Sequence, residues 1–266
     1  MRCDYMSDLH LEAQAFPWKL KGGDVLILAG DICHARCLAP DAADRYAVEQ
    51  RGRVLAFMRE AIARYDHVLQ VVGNHDPYEG RIDQTADLFR DHLPGVTVLD
   101  DSAVQIGGVS FFGATLWADF DGRDEEAMRL AAKGCGEFFF IKVPDDHGGL
   151  RRFRPVDALA RFDRSLAALQ THLHTGTPEK TVVITHHAPS RKSLNPVHMG
   201  GGKDGAYASS LDSLVEASGV PFWVHGHTHV IRRYRIGRTT VLANCRGFDG
   251  RDPATRDFRP DRSFEI

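Results

Sequence analysis

Five short apolar runs in this chain each break off into a turn rich in metal-binding side chains, and this repetition constrains the fold most. The runs cover residues 2–6, 24–28, 67–72, 181–184 and 221–224. Short β-branched or aliphatic runs that stop at glycine or polar residues read as buried strands. The turns after them carry Asp8 and His10, then Asp31, then Asn74 and His75, then His186 and His187, and last His227 and His229. In sheets with parallel strands, ligands bind outside the carboxyl ends of the strands. Strands that share a sheet bring such turns to one edge, whatever their separation in sequence.

The segments between these runs fit an α/β chain. A helix over 42–65 would place Val54, Leu55, Met58, Ile62 and Tyr65 on one face. The order strand, strand, helix, strand has parallel-sheet character. A short helix over 84–92 follows, then strands at 96–99, 103–106 and 109–112, with Gly107 and Gly108 turning a hairpin. Residues 124–133 and 156–173 read as helices, and the second repeats Leu159, Phe162, Leu166, Leu169 and Leu173 along one face. A helix over 210–217 has a serine available as its cap. Two closing strands at 231–236 and 239–243 turn at Gly237. Residues 134–154 read as an irregular excursion, a candidate lid, and 190–206 as a glycine-containing loop. No repeat or linker interrupts the chain, so one domain over 1–266 is expected.

The polar turns supply carboxylate, amide and imidazole donors, the set that divalent transition metals prefer. Asp8, His10, Asp31 and His229 would hold one ion, and Asp31, Asn74, His186 and His227 a second. Asp31 can bridge because a carboxylate has two oxygens. Two ions about 3.5–4 Å apart clamp the attacking and leaving oxygens of an in-line displacement. His75 would stay unligated, free to stabilise charge or protonate a leaving oxygen. Taken singly, Asp8, Asp31 and Asn74 are also ordinary turn or capping residues.

Together the turns form an ordered set: Asp8-Leu9-His10, Gly30-Asp31-Ile32-Cys33, Gly73-Asn74-His75-Asp76, His186, and Gly226-His227-Thr228-His229. This set resembles the signature blocks of the calcineurin-like metallophosphoesterase superfamily, and it covers most of the chain. The resemblance implies a four-layer αββα sandwich with two central mixed β-sheets. It implies the metal assignments above, with His186 rather than His187 as ligand, and two divalent ions such as manganese, iron or zinc. It also implies hydrolysis of a phosphate ester by a metal-bridging hydroxide. The segments around His186-His187 and Asn244-Cys245-Arg246-Gly247-Phe248 look like a bacterial single-domain subgroup. Gly30-Asp31 is not followed by the block typical of protein phosphatases, which points away from protein substrates.

Composition narrows the partners. A net charge of −3 over 266 residues lacks the basic footprint of a dedicated nucleic-acid binder. Small phosphodiesters are therefore the expected substrates. A nuclease or cyclic-nucleotide activity, motivated by Arg151-Arg152-Phe153-Arg154, and a phosphomonoesterase remain open, as does a non-catalytic scaffold. Five widely spaced cysteines without a C-x-x-C fit buried thiols in a reducing cytoplasm. No secretory leader or membrane span is expected. Two further residues are candidate substrate contacts: His34 in the loop after Asp31, which could equally be an exposed loop residue, and Arg246, whose fork suits a phosphate oxygen.

Overall fold

The expected strands form and sort into two large sheets in the computed structural model, which describes residues 1–196, 199–252 and 255–266. The first sheet starts with β1 (Arg2–Met6), β2 (Gly23–Leu28), β3 (Tyr65–Val71) and β4 (Val96–Leu99), all parallel. The hairpin β5 (Ser102–Ile106) and β6 (Val109–Ala114) opens the second sheet. A small hairpin, β7 (Lys142–Pro144) and β8 (Leu150–Arg152), stands apart. The second sheet continues with β9 (Thr181–Thr185), β10 (Phe222–His225), β11 (Arg232–Ile236) and β12 (Thr239–Ala243). Its order is β11-β12-β10-β9-β6-β5, parallel except at its two edges. A last strand, β13 (Ser263–Glu265), pairs antiparallel with β1.

Strand periodicity sorts the side chains into layers. Val25 and Ile27 of β2 face the space between the sheets, where Tyr5, Val71, Phe111, Ile184, Val224 and Leu242 join them. Leu26 and Leu28 face the other way, against Val54, Phe57, Met58 and Ala61 of the helix Arg45–Arg64. On the second sheet, Val183, Trp223 and Val241 pack against Phe162 and Leu169 of the helix Pro155–Thr175. The result is a helix–sheet–sheet–helix sandwich, as the resemblance implies. Each buried aliphatic or aromatic side chain contributes about 1.5–3 kcal/mol.

Several local expectations are corrected. Asp44 caps the first helix, accepting a hydrogen bond from the Ala47 amide at 2.9 Å. Its buried stripe begins at Ala47 and Gln50, so Phe57 and Ala61 turn inward, while Leu55 and Ile62 stay exposed. The choice between neighbouring stripes is made by the sheet beneath, not by the helix. No serine caps the helix Asp212–Ser218; Leu211 precedes it, and the Ser210 amide donates to Asp119 instead. Residues 134–154 are more regular than expected, holding a helical turn at Glu137–Phe140 and the β7–β8 hairpin. Of the glycine-containing loop, Val197 and His198 lie outside the described residues. All five cysteines are buried and unpaired. Among the described residues no helix is long and apolar enough to cross a membrane.

Candidate active site

Every polar turn picked out in the sequence leaves the carboxyl end of a parallel strand: β1, β2 and β3 in the first sheet, β9 and β10 in the second. The backbone there bends sharply. Asp8, His10, Asp31, His227 and His229 all take positive φ, between 47° and 67°. Non-glycine residues rarely do so, and such strain is held where the surroundings over-determine the conformation. The sheets are also pinned together at this edge. The Gly226 amide donates to the His186 carbonyl at 3.0 Å; between the sheets the Ser7 amide donates to the Asn244 carbonyl at 3.2 Å and the Arg246 amide to the Ser7 carbonyl at 3.0 Å. Gly30 and Gly73 permit the closest approach: a Cβ on Gly73 would collide with the Asp31 carboxylate, and one on Gly30 with the His186 ring.

Asp76 ties these turns into one unit. Its buried carboxylate accepts from the Gly73 amide at 2.6 Å, the Ile32 amide at 2.9 Å and the Cys33 amide at 3.1 Å. Asp31 accepts from the His75 amide at 2.8 Å. The Asn74–His75 turn is thereby fixed against the Asp31 turn from both sides.

The ring nitrogens of the histidines point to a cation. His10 Nδ1 lies 2.7 Å from Glu12, and His229 Nδ1 lies 2.8 Å from Asp252. A carboxylate only accepts, so each Nδ1 carries the hydrogen and each neutral ring keeps a bare Nε2. Those two Nε2 atoms face each other at 3.1 Å, with Asp8 at 3.4 Å from His229. Likewise His186 Nδ1 donates to the Ala29 carbonyl at 2.8 Å, leaving its Nε2 lone pair 2.9 Å from the Asn74 oxygen and 3.4 Å from Asp31. Among the described residues His227 Nε2 is buried without a hydrogen-bond partner. Such convergence of lone pairs is stable only around a positive charge. Among the described residues four groups meet the geometry: Asp8–His10–His229, Asp31–His186–His227, His10–Asp31–His75 and Glu12–His34–His75. The first two fit a pair of divalent ions, and Asp31 lies within reach of His10 as well as of its own cluster.

Where no ion is bound, the same carboxylates draw a second proton to two of these rings, so the site gathers positive charge in either state. Burial pulls the His229 ring down, but Asp252 and Asp8 outweigh it and raise the ring to about 10. Burial likewise opposes His186, yet Asp31 and Asp8 raise it to about 9. Burial would push Asp8 and Asp31 up, and the neighbouring histidines hold both well below the usual carboxylate range. His75 behaves differently: burial lowers it to about 4, so the ring is neutral near pH 7. A neutral imidazole can still donate one N–H. Above the centre opens a cavity of about 550 Å³, walled by Tyr78, Tyr207, Phe248, Glu137 and Lys203. That volume suits a small organic ligand.

Comparison with known proteins decides the family. The sequence matches the calcineurin-like phosphoesterase family model over residues 1–231. The chain belongs to this family. Among solved structures, the phosphopantetheinyl hydrolase of Mycobacterium tuberculosis superposes with a TM-score of 0.65 at 18% identity, covering 98% of this chain and 95% of that one. A dimetal phosphatase from Danio rerio gives a TM-score of 0.46 at 14% identity, covering 91% of this chain and 86% of that one. No curated protein sequence gives a significant match. The protein is a metal-dependent phosphoester hydrolase of a family built on a dimetal centre.

The remaining candidates of this phosphoesterase are placed as follows. His34 is nearly buried, 5.6 Å ring to ring from Tyr78 and 4.0 Å from Glu12. Arg246 does not line the cavity above the centre. It is buried under Trp18, 5.1 Å from that ring, donates to the Leu9 carbonyl, and lines a neighbouring cavity beyond Phe248. His187 packs its ring 4.1 Å from His227. His225 bonds Ser193 and lies behind the site. Arg151 is held by Asp157 at 2.6 and 2.7 Å and Phe153 is buried, so these two residues are committed to the fold, while Arg152 and Arg154 are exposed. Sequence reasoning missed Glu12, Asp252 and Glu137. Glu12 had a signal, a carboxylate two residues beyond His10; Asp252 and Glu137 reach the site only through the tertiary fold.

Proposed function

We propose that this phosphoesterase hydrolyses small phosphodiesters at a binuclear centre held by Asp8, His10, Asp31, Asn74, His186, His227 and His229. The observation that carries the reading is the convergence of bare imidazole nitrogens on Asp8, Asp31 and Asn74. Bound there, two divalent ions supply Lewis acidity and an activated water at neutral pH. The chain's own residues do the rest. Glu12, Asp252 and the Ala29 carbonyl hold the histidine tautomers. His75, stacked on Tyr78 with centroids 4.2 Å apart, offers its free N–H to the leaving oxygen. Tyr78, Tyr207 and Phe248 give the organic arms of the ester apolar faces to lie against. Among the described lining residues Lys203 is the one lysine and no arginine is present. That favours the single charge of a diester over the double charge of a monoester. Residues 1–266 act as one unit in this reading, since β11, β12 and β13 complete both sheets beyond the family match.

The test is a metal-reconstituted comparison of a chromogenic diester with its monoester, using Asn74→Ala as control. We expect kcat/KM for the diester to be higher by about tenfold or more, and the control to lose turnover; each factor of ten is about 1.4 kcal/mol. A preference for the monoester would overturn the assignment of substrate class. A nuclease reading draws no support from Arg151, which is already paired.

A further inference from the structure

One of the groups able to hold a cation, Glu12–His34–His75, supplies no ligand to the proposed pair. Its ligand atoms lie within 4.8 Å of one another. Glu12 is 5% exposed and His34 9%. One Glu12 oxygen, Oε1, lies 2.7 Å from His10 Nδ1 and 4.0 Å from His34 Nε2. Among the described residues, Glu12 Oε2 and His34 Nδ1 are both buried without a hydrogen-bond partner. Buried polar atoms are ordinarily paired, so two orphans in one cluster call for a ligand. The His34 ring adds to this. Its Nε2 faces Glu12 at 4.0 Å and its Nδ1 faces Glu79 at 3.8 Å. A neutral imidazole carries one hydrogen, so one of its lone pairs is turned toward a carboxylate. A cation between them relieves that repulsion.

Two imidazoles and one carboxylate, with a fourth place for water, make a zinc donor set. A carboxylate has two oxygens, so Glu12 can keep His10 and take a cation as well. Zinc about 2.1 Å from each tetrahedral ligand sets the ligands about 3.4 Å apart. His34 and Glu12 must therefore draw in, and a third cation beside a pair is repelled by it. Such a site fills after the pair, at higher free metal. Its consequence falls on His75, whose ring is stacked on Tyr78 and set edge-on to His10. A neutral ring that gives its N–H to a leaving oxygen must take a proton at its other nitrogen. A zinc ion on that nitrogen blocks the exchange.

We propose that Glu12, His34 and His75 form a third cation site, suited to zinc, whose filling takes His75 out of the reaction. The site lies beyond the two-ion reading, and its effect on turnover rests on the role given there to His75. The test is equilibrium dialysis against rising free zinc, with zinc content and turnover of a chromogenic diester measured at each step. The chains compared are the parent, His34→Phe and His75→Ala. Phenylalanine keeps a ring beside Tyr46 and Tyr78 and removes the ligand atoms. We expect the parent to bind about two ions and then, at higher free zinc, about one more. Its turnover should rise with the pair and fall about 100-fold with the third ion, the lower end for a lost proton donor. Both variants should stop at about two ions, a count that also shows them folded. Excess zinc should leave the turnover of His34→Phe at the maximum that this variant reaches with its pair. If the parent fills the pair and binds no more, the third site fails and the two-ion reading stands. If the parent never fills the pair, that reading fails and the third site with it. A third ion that survives both substitutions is adventitious and overturns the proposal. So does a third ion lost in both variants that leaves the parent's turnover undiminished.

Discussion

The two halves of the proposed centre differ in what stands behind their histidines. In the first, His10 leans on Glu12 and His229 on Asp252, both carboxylates. In the second, His186 leans on the Ala29 carbonyl, and His227 lies among the rings of His187 and Tyr207, 4.1 and 4.8 Å away. A carboxylate behind an imidazole adds negative charge and strengthens its lone pair as a ligand; a carbonyl mainly fixes the tautomer. One half is therefore built for tight retention and the other for looser, geometry-dependent binding. A chelator should strip the second ion first.

The largest break in this comparison comes from the residue both halves share. Asp31→Asn removes a charge from the cluster with His186 and His227 and from the group with His10 and His75, and leaves opposed lone pairs with less to neutralise them. We expect turnover to fall by about 1,000-fold or more and both ions to weaken. Metal analysis after dialysis checks this, and loss of one ion alone would show that Asp31 does not bridge. His75 comes next. It sits between the halves, its amide on Asp31 and its ring 4.8 Å from His10. His75→Ala should cost about 100–10,000-fold in kcat while both ions remain bound, the range for a lost proton donor. Retained turnover would remove the assigned role.

Exchanging what lies behind the ligands sharpens the comparison further. Asp252→Asn and Glu12→Gln each replace a carboxylate with a neutral acceptor, as at His186. Affinity at the first ion should drop about 10–100-fold, and the order of chelation should invert. If calorimetry shows the order unchanged, the asymmetry lies elsewhere than in these carboxylates.

The same asymmetry explains what could be read in advance. The ligands were legible because each ends an apolar run, and a strand end is a local signal. The α/β order was legible for that reason too. Glu12 lay within reach, since its partner is two residues away. Asp252 was not: it meets His229 only because the chain returns beyond β12 to the first sheet's edge. Asp76 was quoted in the motif, yet its four amide partners lie on two turns that only the folded sheet brings together. β13 escaped because three residues of edge strand carry no period of their own. Arg246 shows the opposite error. A basic residue after the last parallel strand promised a phosphate contact, but its fork is turned toward the Leu9 carbonyl and Asp249.

The smallest effect is expected away from both halves, in the β7–β8 hairpin. There Arg151 of β8 grips Asp157 with both arms of its guanidinium. Burial alone would raise the Asp157 carboxyl, but the bond from Arg151 and the Arg154 amide outweigh it and hold it below its ordinary 3.8. A group lowered by folding stabilises the protein above its unfolded value, and that contribution fades as pH falls through the folded one. Arg151→Ala should therefore lower Tm by about 1–3 °C at pH 7, the scale of a partly exposed ion pair. The difference from the parent should begin to shrink as pH falls below about 3.8 and should vanish only once pH is below the folded value, where the carboxyl is protonated in both states. Thermal melts in steps from about pH 7 to about pH 2 check both statements, and a constant difference would assign the effect to packing rather than charge. Manganese titration of the same variant adds a separate reading. Unchanged affinity for the second ion would mean that the hairpin serves the fold and not the centre.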